Sequence, residues 1–314
     1  MTGKIVEGTM PFMGYETYYR IVDGEPEKMK GLTDDAHAPL LLLHGGPGST
    51  HNYMELLDEL ADTGRKVISY DQIGCGNSYV EGHPELWRME TWINELKSLL
   101  DYLHIDRCHI MGQSWGGMLL LQYLVDREDG MKAGTWKGPK VLSAVLSSTL
   151  SSSRLWAREQ HRMIRFLPMA EQEAIRDAEE TGNFDTPECQ AATDHYMMLH
   201  CAGPYTADDP ECLIRPKKAG TESYVVGWGN NEYSPSGTLK DYDLTDRLKE
   251  IQVPCLLMSG TDDLCTPYVA KTMSDRIPHS RWHLFQGARH MCFADSHEVY
   301  CEEMRSWMKM YSQI

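Results

Sequence analysis

The sequence predicts an α/β fold in which a mostly parallel, doubly wound sheet carries an inserted helical cap. Short apolar segments typical of strands alternate with longer amphipathic segments typical of helices from about residue 18 onward. Strands and helices that alternate in this way form parallel sheets with right-handed crossovers. The strand pattern then disappears between Ser151 and about Gly237 and resumes at Val253. A strand–turn–helix pattern around Ser114 indicates the same fold class.

The strands and helices of the sheet region are predicted in chain order as follows. Seven apolar segments are candidate strands: Tyr18–Val22, Leu40–Leu43, Lys66–Tyr70, His109–Met111, Val141–Leu146, Cys255–Met258 and Trp282–Phe285. Between them, Tyr53–Ala61 and Thr91–His104 are candidate helices. The second of these carries five aliphatic residues on one face, from Ile93 to Leu103, which predicts a helix packed against the sheet.

The region without strands has its own helical pattern. Its segments Arg154–Phe166, Met169–Thr181, Pro187–His200 and Pro210–Ala219 are predicted helices, separated by proline or glycine. We therefore divide the chain into a first part of the core at residues 1–150, a helical cap at 151–237 and a second part of the core at 238–314.

Composition narrows the classes of function. The 314 residues are 41% hydrophobic and 24% charged, as in ordinary globular proteins, and the net charge of −16 argues against nucleic acid and anionic membranes as partners. No apolar run approaches the ~20 residues of a membrane span, and the polar start Met1–Lys4 is not a signal peptide. Nine cysteines without a C-x-x-C pair indicate a reduced, cytoplasmic protein.

The histidines do not form a recognisable metal motif. There is no H-E-x-x-H sequence, and His279 and His283 are not expected on one helix face because Pro278 precedes a strand-like segment. We therefore expect neither a metal nor another cofactor.

The segment Gly112-Gln113-Ser114-Trp115-Gly116 is a G-x-S-x-G motif between a buried strand and a helix. The bare motif arises often by chance, so its context decides. A nucleophile elbow needs this strand–turn–helix context, and the turn is so tight that residues two before and two after the serine must be glycine. Ser114 is therefore the candidate nucleophile, exposed at the head of a helix whose N–H groups can hold a developing negative charge.

The segment His44-Gly45-Gly46-Pro47-Gly48 directly follows the predicted strand Leu40–Leu43. Serine hydrolases of the α/β type place their second oxyanion donor at such a position, and glycines such as Gly45 let the backbone approach a substrate carbonyl closely. An ordinary strand-to-helix turn is the alternative, since Pro47 and Ser49 would suit one equally well.

A serine nucleophile needs a histidine base and a carboxylate that orients it, in the chain order Ser, Asp, His. The loop after Cys255–Met258 offers Asp262 and Asp263, and the pattern G-x-x-D-x-x-x-P selects Asp263. His290 has rivals in His279, His283 and His297, but only His290 follows the last strand directly in a loop with a glycine. These positions complete a candidate triad.

Together the His-Gly-Gly-Pro-Gly segment, the Gly-Gln-Ser-Trp-Gly-Gly segment, the Gly-Thr-Asp-Asp-Leu-Cys-Thr-Pro loop and the capping insertion resemble the proline iminopeptidases, which are prolyl aminopeptidases of the α/β-hydrolase fold. The resemblance covers essentially the whole chain and is greatest to the lactic-bacterial type. It implies release of an N-terminal residue, preferably proline, from short peptides through an acyl-enzyme. Ser114, Asp263 and His290 would be catalytic, and the N–H groups of Gly46 and Trp115 would hold the oxyanion.

The resemblance also implies a residue that binds the substrate's free amine. The match to the family's cap glutamate is Glu232, and Gly45 completes the expected substrate-binding set. One departure stands out: archaeal relatives carry a second glutamate directly after the catalytic aspartate, where this chain has Leu264. Strictness for proline over small residues is therefore left open.

Two other functions compete with this one. A broader amino-acid amidase or esterase would use the same triad on small amides and esters. A non-catalytic binding protein on a hydrolase scaffold is the other alternative, although such a role needs no complete Ser–Asp–His set.

Overall fold

A central sheet organises the protein in the computed structural model, which describes residues 3–25 and 33–312. Its eight described strands are β1 (Ile5–Phe12), β2 (Tyr15–Val22), β3 (Leu40–Leu43), β4 (Val67–Tyr70), β5 (Arg107–Gln113), β6 (Lys140–Ser147), β7 (Cys255–Gly260) and β8 (Ser280–Phe285). They lie in the order β1-β2-β4-β3-β5-β6-β7-β8. The β1–β2 and β2–β4 pairs are antiparallel and the other five pairs are parallel. The predicted mostly parallel sheet is confirmed.

Helices cover both faces of this sheet. The core contributes α1 (Met89–Tyr102), α2 (Trp115–Ala133), α8 (Pro267–Ser274), α9 (Cys292–Asp295) and α10 (His297–Tyr311), together with a 3₁₀ segment at Asn52–Thr63. Alternate leucines of β3 supply both apolar layers, because successive side chains of a strand point to opposite faces. Leu41 and Leu43 pack in the layer under α1 and α2, whereas Leu40 and Leu42 pack in the layer under the 3₁₀ segment and α10.

Five helices and no strand separate β6 from β7 in this fully described stretch. They are α3 (Ser153–Ile164), α4 (Met169–Thr181), α5 (Pro187–His200), α6 (Glu211–Ile214) and α7 (Thr221–Gly227). The inserted helical segment is thus present, while the limits at residues 151 and 237 stay a prediction. Among the described residues, no helix is long and apolar enough to cross a membrane.

The structure corrects several sequence-based assignments: the helix expected at Tyr53–Ala61 is a 3₁₀ segment, and helices α8, α9 and α10 were not predicted. Strand β1 was not predicted, because it is an edge strand with mostly exposed side chains and contains Gly8 and Pro11. The expected helix over Pro210–Ala219 is helical only at Glu211–Ile214, since Pro216 cannot continue it. Helix α7 was also missed; its seven residues are too few to display a clear period.

A buried carboxyl group joins the first hairpin to the loop that follows β4. Glu95 of α1 is fully buried, accepts a hydrogen bond from the Thr17 hydroxyl at 2.5 Å and accepts others from the N–H of Ile73 at 2.9 and 3.0 Å. Burial raises the pKa of Glu95 from 4.5 to about 8. The folded protein therefore keeps this carboxyl protonated at neutral pH, whereas the unfolded chain ionises it.

We predict that the Glu95→Gln variant gains stability relative to the wild type as pH rises. Because the folded pKa is raised, the contribution of Glu95 is fully present below about pH 4.5 and is lost as pH rises towards about 8. Glutamine cannot ionise, so the difference in unfolding free energy should shift in favour of the variant by up to about 1.4 kcal/mol per pH unit. Urea unfolding of the wild type and the variant at pH 6, 7 and 8 measures this difference in unfolding free energy.

The control is Glu90→Gln on the exposed face of the same helix, for which we expect little dependence on pH. A difference between wild type and Glu95→Gln that stays constant from pH 6 to 8 would contradict the prediction.

Candidate active site

Ser114 occupies the sharp turn between β5 and α2. Its backbone has φ 54° and ψ −123°, a conformation that costs energy for any residue with a side chain. Hydrogen bonds to its backbone hold it there. The Ser114 N–H donates to the carbonyl of Ser147 at 2.9 Å, and its own carbonyl accepts from the Thr149 hydroxyl at 2.6 Å and from the Gly117 N–H at 2.9 Å. The half-buried serine side chain is thereby turned towards the cavity described below.

The glycines of the motif are required by close backbone contacts. A Cβ atom on Gly112 would lie 2.2 Å from the carbonyl oxygen of Gly116, and one on Gly116 would lie 2.1 Å from that of Leu43. Both separations are far below a van der Waals contact. The first turn of α2 therefore lies directly against the ends of β3 and β5, which is the arrangement that the motif predicts.

Asp263 and His290 meet at the same edge of the sheet, in the loops after β7 and β8. Their Oδ1 and Nδ1 atoms are 2.7 Å apart, and the residues are 1% and 5% exposed. Asp263 also accepts hydrogen bonds from the Ser148 hydroxyl at 2.7 Å and from the Cys265 N–H at 2.8 Å. With Nδ1–H directed at the carboxylate, Nε2 is the nitrogen left to exchange a proton.

The geometry selects Asp263 and His290 over their rivals. Asp262 is exposed, and its side chain accepts a bond from the neighbouring Thr261 hydroxyl. His283 stacks on Phe285, and His297 pairs with Glu59 away from the cavity. The His290 ring instead makes an edge contact with Trp156 of the cap, with centroids 5.9 Å apart.

The end of a cap helix fastens both of these loops. The carbonyl of His200, the last residue of α5, accepts hydrogen bonds from the N–H of His290 at 2.9 Å and of Leu264 at 3.3 Å. The His200 ring also bonds the carbonyl of Asp262 at 2.8 Å. The cap therefore positions the candidate base as well as covering it.

One cavity of about 380 Å³ brings the candidate residues together. Its lining includes Ser114, His290, Gly46, Glu232 and Leu264. The lining also includes Ser49, Tyr53, Cys201, Lys217 and Tyr224. The cavity is large enough for a small peptide substrate, and the two members of the triad that would touch such a substrate both face it.

The proposed oxyanion donors are held by the neighbouring loops. Gly46 has φ +112°, which favours glycine, and a Cβ atom there would lie 2.5 Å from the nitrogen of Gly48. Trp115 is the first residue of α2, and its buried indole donates to the Gln72 side chain at 2.7 Å. The first N–H groups of a helix lack intrahelical partners, so the Trp115 N–H is suited to an anion. Both assignments stay predictions.

Gly45 was expected to bind substrate, and that assignment stays a prediction. Its N–H donates to the Tyr53 hydroxyl at 2.5 Å, which in turn donates to the Gln113 side chain at 2.8 Å. Its carbonyl accepts from the Ser49 N–H at 3.3 Å. Both polar backbone groups of the buried Gly45 therefore have partners within the protein, and these contacts shape the loop that carries Gly46.

Glu232 of the cap directs a carboxylate into the cavity. Its Oε2 atom accepts a hydrogen bond from the Tyr224 hydroxyl at 3.0 Å, and its main-chain carbonyl accepts one from the Trp156 indole at 3.1 Å. Burial raises the pKa of Glu232, and the nearby His290 lowers it by a smaller amount. Among the described residues that line the cavity, Glu232 is the one carboxylate, and a bound cation would relieve the cost of burying it.

Sequence reasoning missed several residues that support this site. Ser148, with φ +46°, donates to Asp263, and Tyr53 links the oxyanion loop to the strand of the nucleophile. The position of Ser148 directly after a parallel strand was the one available signal, because loops at that edge carry functional residues. Nothing in the local sequence marks Tyr53.

The sequence analysis also did not predict two clusters of potential metal ligands. One consists of buried His44, Asp71 and Cys75, and the other of Glu59, His297 and Cys301. Neither includes Ser114, Asp263 or His290. Each joins two residues of one loop or helix, Asp71 with Cys75 and His297 with Cys301, to a third residue distant in the chain, which spacing alone does not predict.

Comparison with known proteins places the chain among hydrolases. A family model described as the alpha/beta hydrolase fold matches residues 38–296. The chain is 52% identical over 305 residues to a proline iminopeptidase of Clostridioides difficile strain 630, covering 97% of this chain and 98% of that one. It is 50% identical to a proline iminopeptidase of Lactobacillus helveticus, over 99% and 100% of the two chains.

Solved structures agree with these relatives. The crystal structure of a proline iminopeptidase from Mycobacterium smegmatis superimposes with a TM-score of 0.82 at 28% identity, covering 98% of this chain and 99% of that one. The similarity thus extends through the sheet and the inserted helices alike.

Proposed function

The chain belongs to the proline iminopeptidase family of α/β hydrolases, and from that premise we propose that it is a serine aminopeptidase. It releases an N-terminal residue, preferably proline, from short peptides through an acyl-enzyme. One observation carries the proposal: the cavity that holds Ser114 and His290 also holds the carboxylate of Glu232. A nucleophile alone would serve any ester or amide, whereas a buried carboxylate beside it favours a substrate with a free amine.

Substrate binding orients the first residue of the peptide. The ammonium group pairs with Glu232, which the Tyr224 hydroxyl holds in place, and the carbonyl carbon comes to rest at the Ser114 hydroxyl. Neither the substrate ammonium nor the Glu232 carboxylate then remains unpaired in the cavity. Fixing the amine therefore selects the first peptide bond and places it for attack.

Acylation follows from the arrangement of the triad. Nε2 of His290 takes the proton of the Ser114 hydroxyl as the oxygen attacks the carbonyl carbon, while Asp263 stabilises the imidazolium. The N–H groups of Gly46 and Trp115 hold the oxyanion, each worth about 3 kcal/mol if typical. His290 then gives its proton to the leaving amine, and the C–N bond breaks.

Deacylation repeats these steps with water. His290 removes a proton from a water molecule, whose oxygen attacks the ester carbonyl of the acyl-enzyme. The Ser114 oxygen leaves and recovers the proton from His290, which frees the amino acid. No cofactor takes part in either half of the reaction.

Hydrolysis of small amides and esters without amine recognition is the second candidate function. Leu264 is the observation that favours it, because this apolar side chain lines the cavity directly after Asp263. Because Leu264 provides no carboxylate, recognition of a substrate ammonium would depend on Glu232 alone.

Composition and charge support inferences about the partners and the location of the protein. Peptides with an N-terminal proline or small residue are the expected substrates, and the net charge of −16 supports the inference that nucleic acid and anionic membranes are not partners. Nine free thiols are typical of proteins from reducing compartments, which supports a cytoplasmic location.

A panel of anilide substrates tests the proposed function. We predict that prolyl-anilide is turned over faster than alanyl-anilide, and that N-acetyl-prolyl-anilide loses at least about 100-fold in kcat/KM, because it cannot place a cation at Glu232. Initial rates of aniline release on the purified protein measure all three. Equal turnover of the free and acetylated substrates would favour the amidase or esterase.

Glu232→Gln tests whether the cap carboxylate binds the substrate amine. This change keeps the shape of the side chain and removes its charge, so kcat/KM for prolyl-anilide should fall about 100-fold. The value for a small ester without an amine should fall only a few-fold, because that substrate does not need the carboxylate. Parallel assays with both substrates measure the ratio.

Glu188→Gln is the matched control, because Glu188 is an exposed carboxylate of the cap outside the residues that line the cavity. It should leave both activities near wild type. If Glu232→Gln reduced the two activities equally, or neither, Glu232 would not be the residue that binds the amine.

A further inference from the structure

The cavity that holds Ser114 contains a positive charge as well as a negative one. Lys217, in the segment between α6 and α7, lines it together with Glu232. The Lys217 ammonium lies 5.6 Å from the centre of the Tyr53 ring, and no ion pair joins it to Glu232 in the described structure. The cavity therefore presents two separate charges of opposite sign.

Among the described residues, no carboxylate lies within ion-pair distance of Lys217, although the more distant charge of Asp71 acts on its ammonium. Arg215 pairs with Glu55 and, at 3.3 Å, with Glu211. Arg289, near the other catalytic loop, pairs with Asp295 at 2.8 Å. These arginines already have carboxylate partners and do not line the cavity, whereas Lys217 is the one lysine or arginine among the described residues of its lining.

The surroundings of Lys217 make an anionic ligand favourable. The residue remains exposed to solvent, yet protein atoms crowd its ammonium, and this desolvation lowers the pKa of Lys217. An anion that entered the cavity would repay part of the cost of removing the ammonium from water.

The backbone holds Lys217 close to the oxyanion loop. The N–H of Gly76 donates to the carbonyl of Lys218 at 2.8 Å, and the N–H of Gly220 donates to the carbonyl of Gly48 at 2.9 Å. These bonds tie the chain directly after Lys217 to the loop after β4 and to the loop that carries Gly46. The backbone from which the Lys217 side chain reaches Tyr53 is therefore held in place.

The two charges belong to different walls of the cavity. The Glu232 carboxylate lies beside the Tyr224 hydroxyl and close enough to His290 for their charges to interact. Lys217 lies over Tyr53, whose hydroxyl bonds the N–H of Gly45 directly before the oxyanion residue Gly46. A cavity with a carboxylate on one wall, an ammonium on another and a nucleophile in its lining matches a small zwitterion with a scissile bond between its charged ends.

We propose that Lys217 binds the C-terminal carboxylate of the leaving group, so that the enzyme prefers dipeptides and tripeptides with a free C-terminus. This inference rests on the proposed aminopeptidase function. With the ammonium at Glu232 and the first carbonyl at Ser114, the carboxylate of a dipeptide lies one residue beyond the scissile bond. An extended chain advances about 3.3–3.6 Å per residue, and the flexible lysine stem adapts to a second residue.

The test compares prolyl-alanine with prolyl-alanine amide, which differ only in the carboxylate. We expect the wild type to prefer the free acid by about tenfold in kcat/KM, which corresponds to about 1.4 kcal/mol. Lys217→Met keeps the apolar stem and should abolish that preference, whereas Lys217→Arg keeps the charge and should retain most of it. Release of proline from each substrate gives the ratio.

Lys218→Met is the matched control. Lys218 is adjacent in sequence, but its ammonium lies 3.3 Å from the Tyr79 ring centre and outside the residues lining the Ser114 cavity. It should keep the wild-type ratio. The ratio in the wild type decides the question even if Lys217→Met fails to fold.

A wild-type enzyme that hydrolyses the acid and the amide equally would overturn the proposal, as would a Lys217→Met variant that loses both activities in the same proportion. These results differ from failure of the aminopeptidase function itself. In that case the wild type would release no proline from either substrate or from prolyl-anilide.

Discussion

The close contact between the first turn of α2 and the ends of β3 and β5 is the constraint on which the site depends. No side chain fits at Gly112 or Gly116, where a Cβ atom would lie within 2.2 Å of a backbone atom. The same contact forces Ser114 to a positive φ and turns it towards the cavity. The strain is sustained because Ser147 and Thr149 bond the serine backbone from the neighbouring strand.

The parallel sheet then assembles the remaining groups at one edge. Strands β3, β5, β6, β7 and β8 all end there, and the loops after them carry Gly46, Ser114, Ser148, Asp263 and His290 in turn. The cap adds the charges of Glu232 and Lys217 to the lining of the cavity. The end of α5 also holds the loops that carry Asp263 and His290. On the proposed function, the core supplies the chemistry and the cap supplies the recognition of the substrate.

Sequence patterns predicted what depends on local spacing. Buried parallel strands are nearly continuous apolar runs, so seven strands were found, whereas the exposed edge strand β1 was missed. The candidate triad was predicted because each member follows a strand in a fixed chain order, and the structure brings Asp263 and His290 into contact. Ser148, Tyr53 and Lys217 were not, since their partners lie 115, 60 and 164 residues away in the chain. Such contacts leave no period or motif to recognise.

The most direct test of the central claim is turnover by Ser114→Ala, with Ser49→Ala as the control because both serines line the cavity. If Ser114 is the nucleophile, its variant should fold normally and lose about 10⁴-fold or more in kcat on prolyl-anilide. Ser49→Ala should retain most of its activity. A folded Ser114→Ala protein that kept more than a few per cent of wild-type turnover would contradict the serine mechanism.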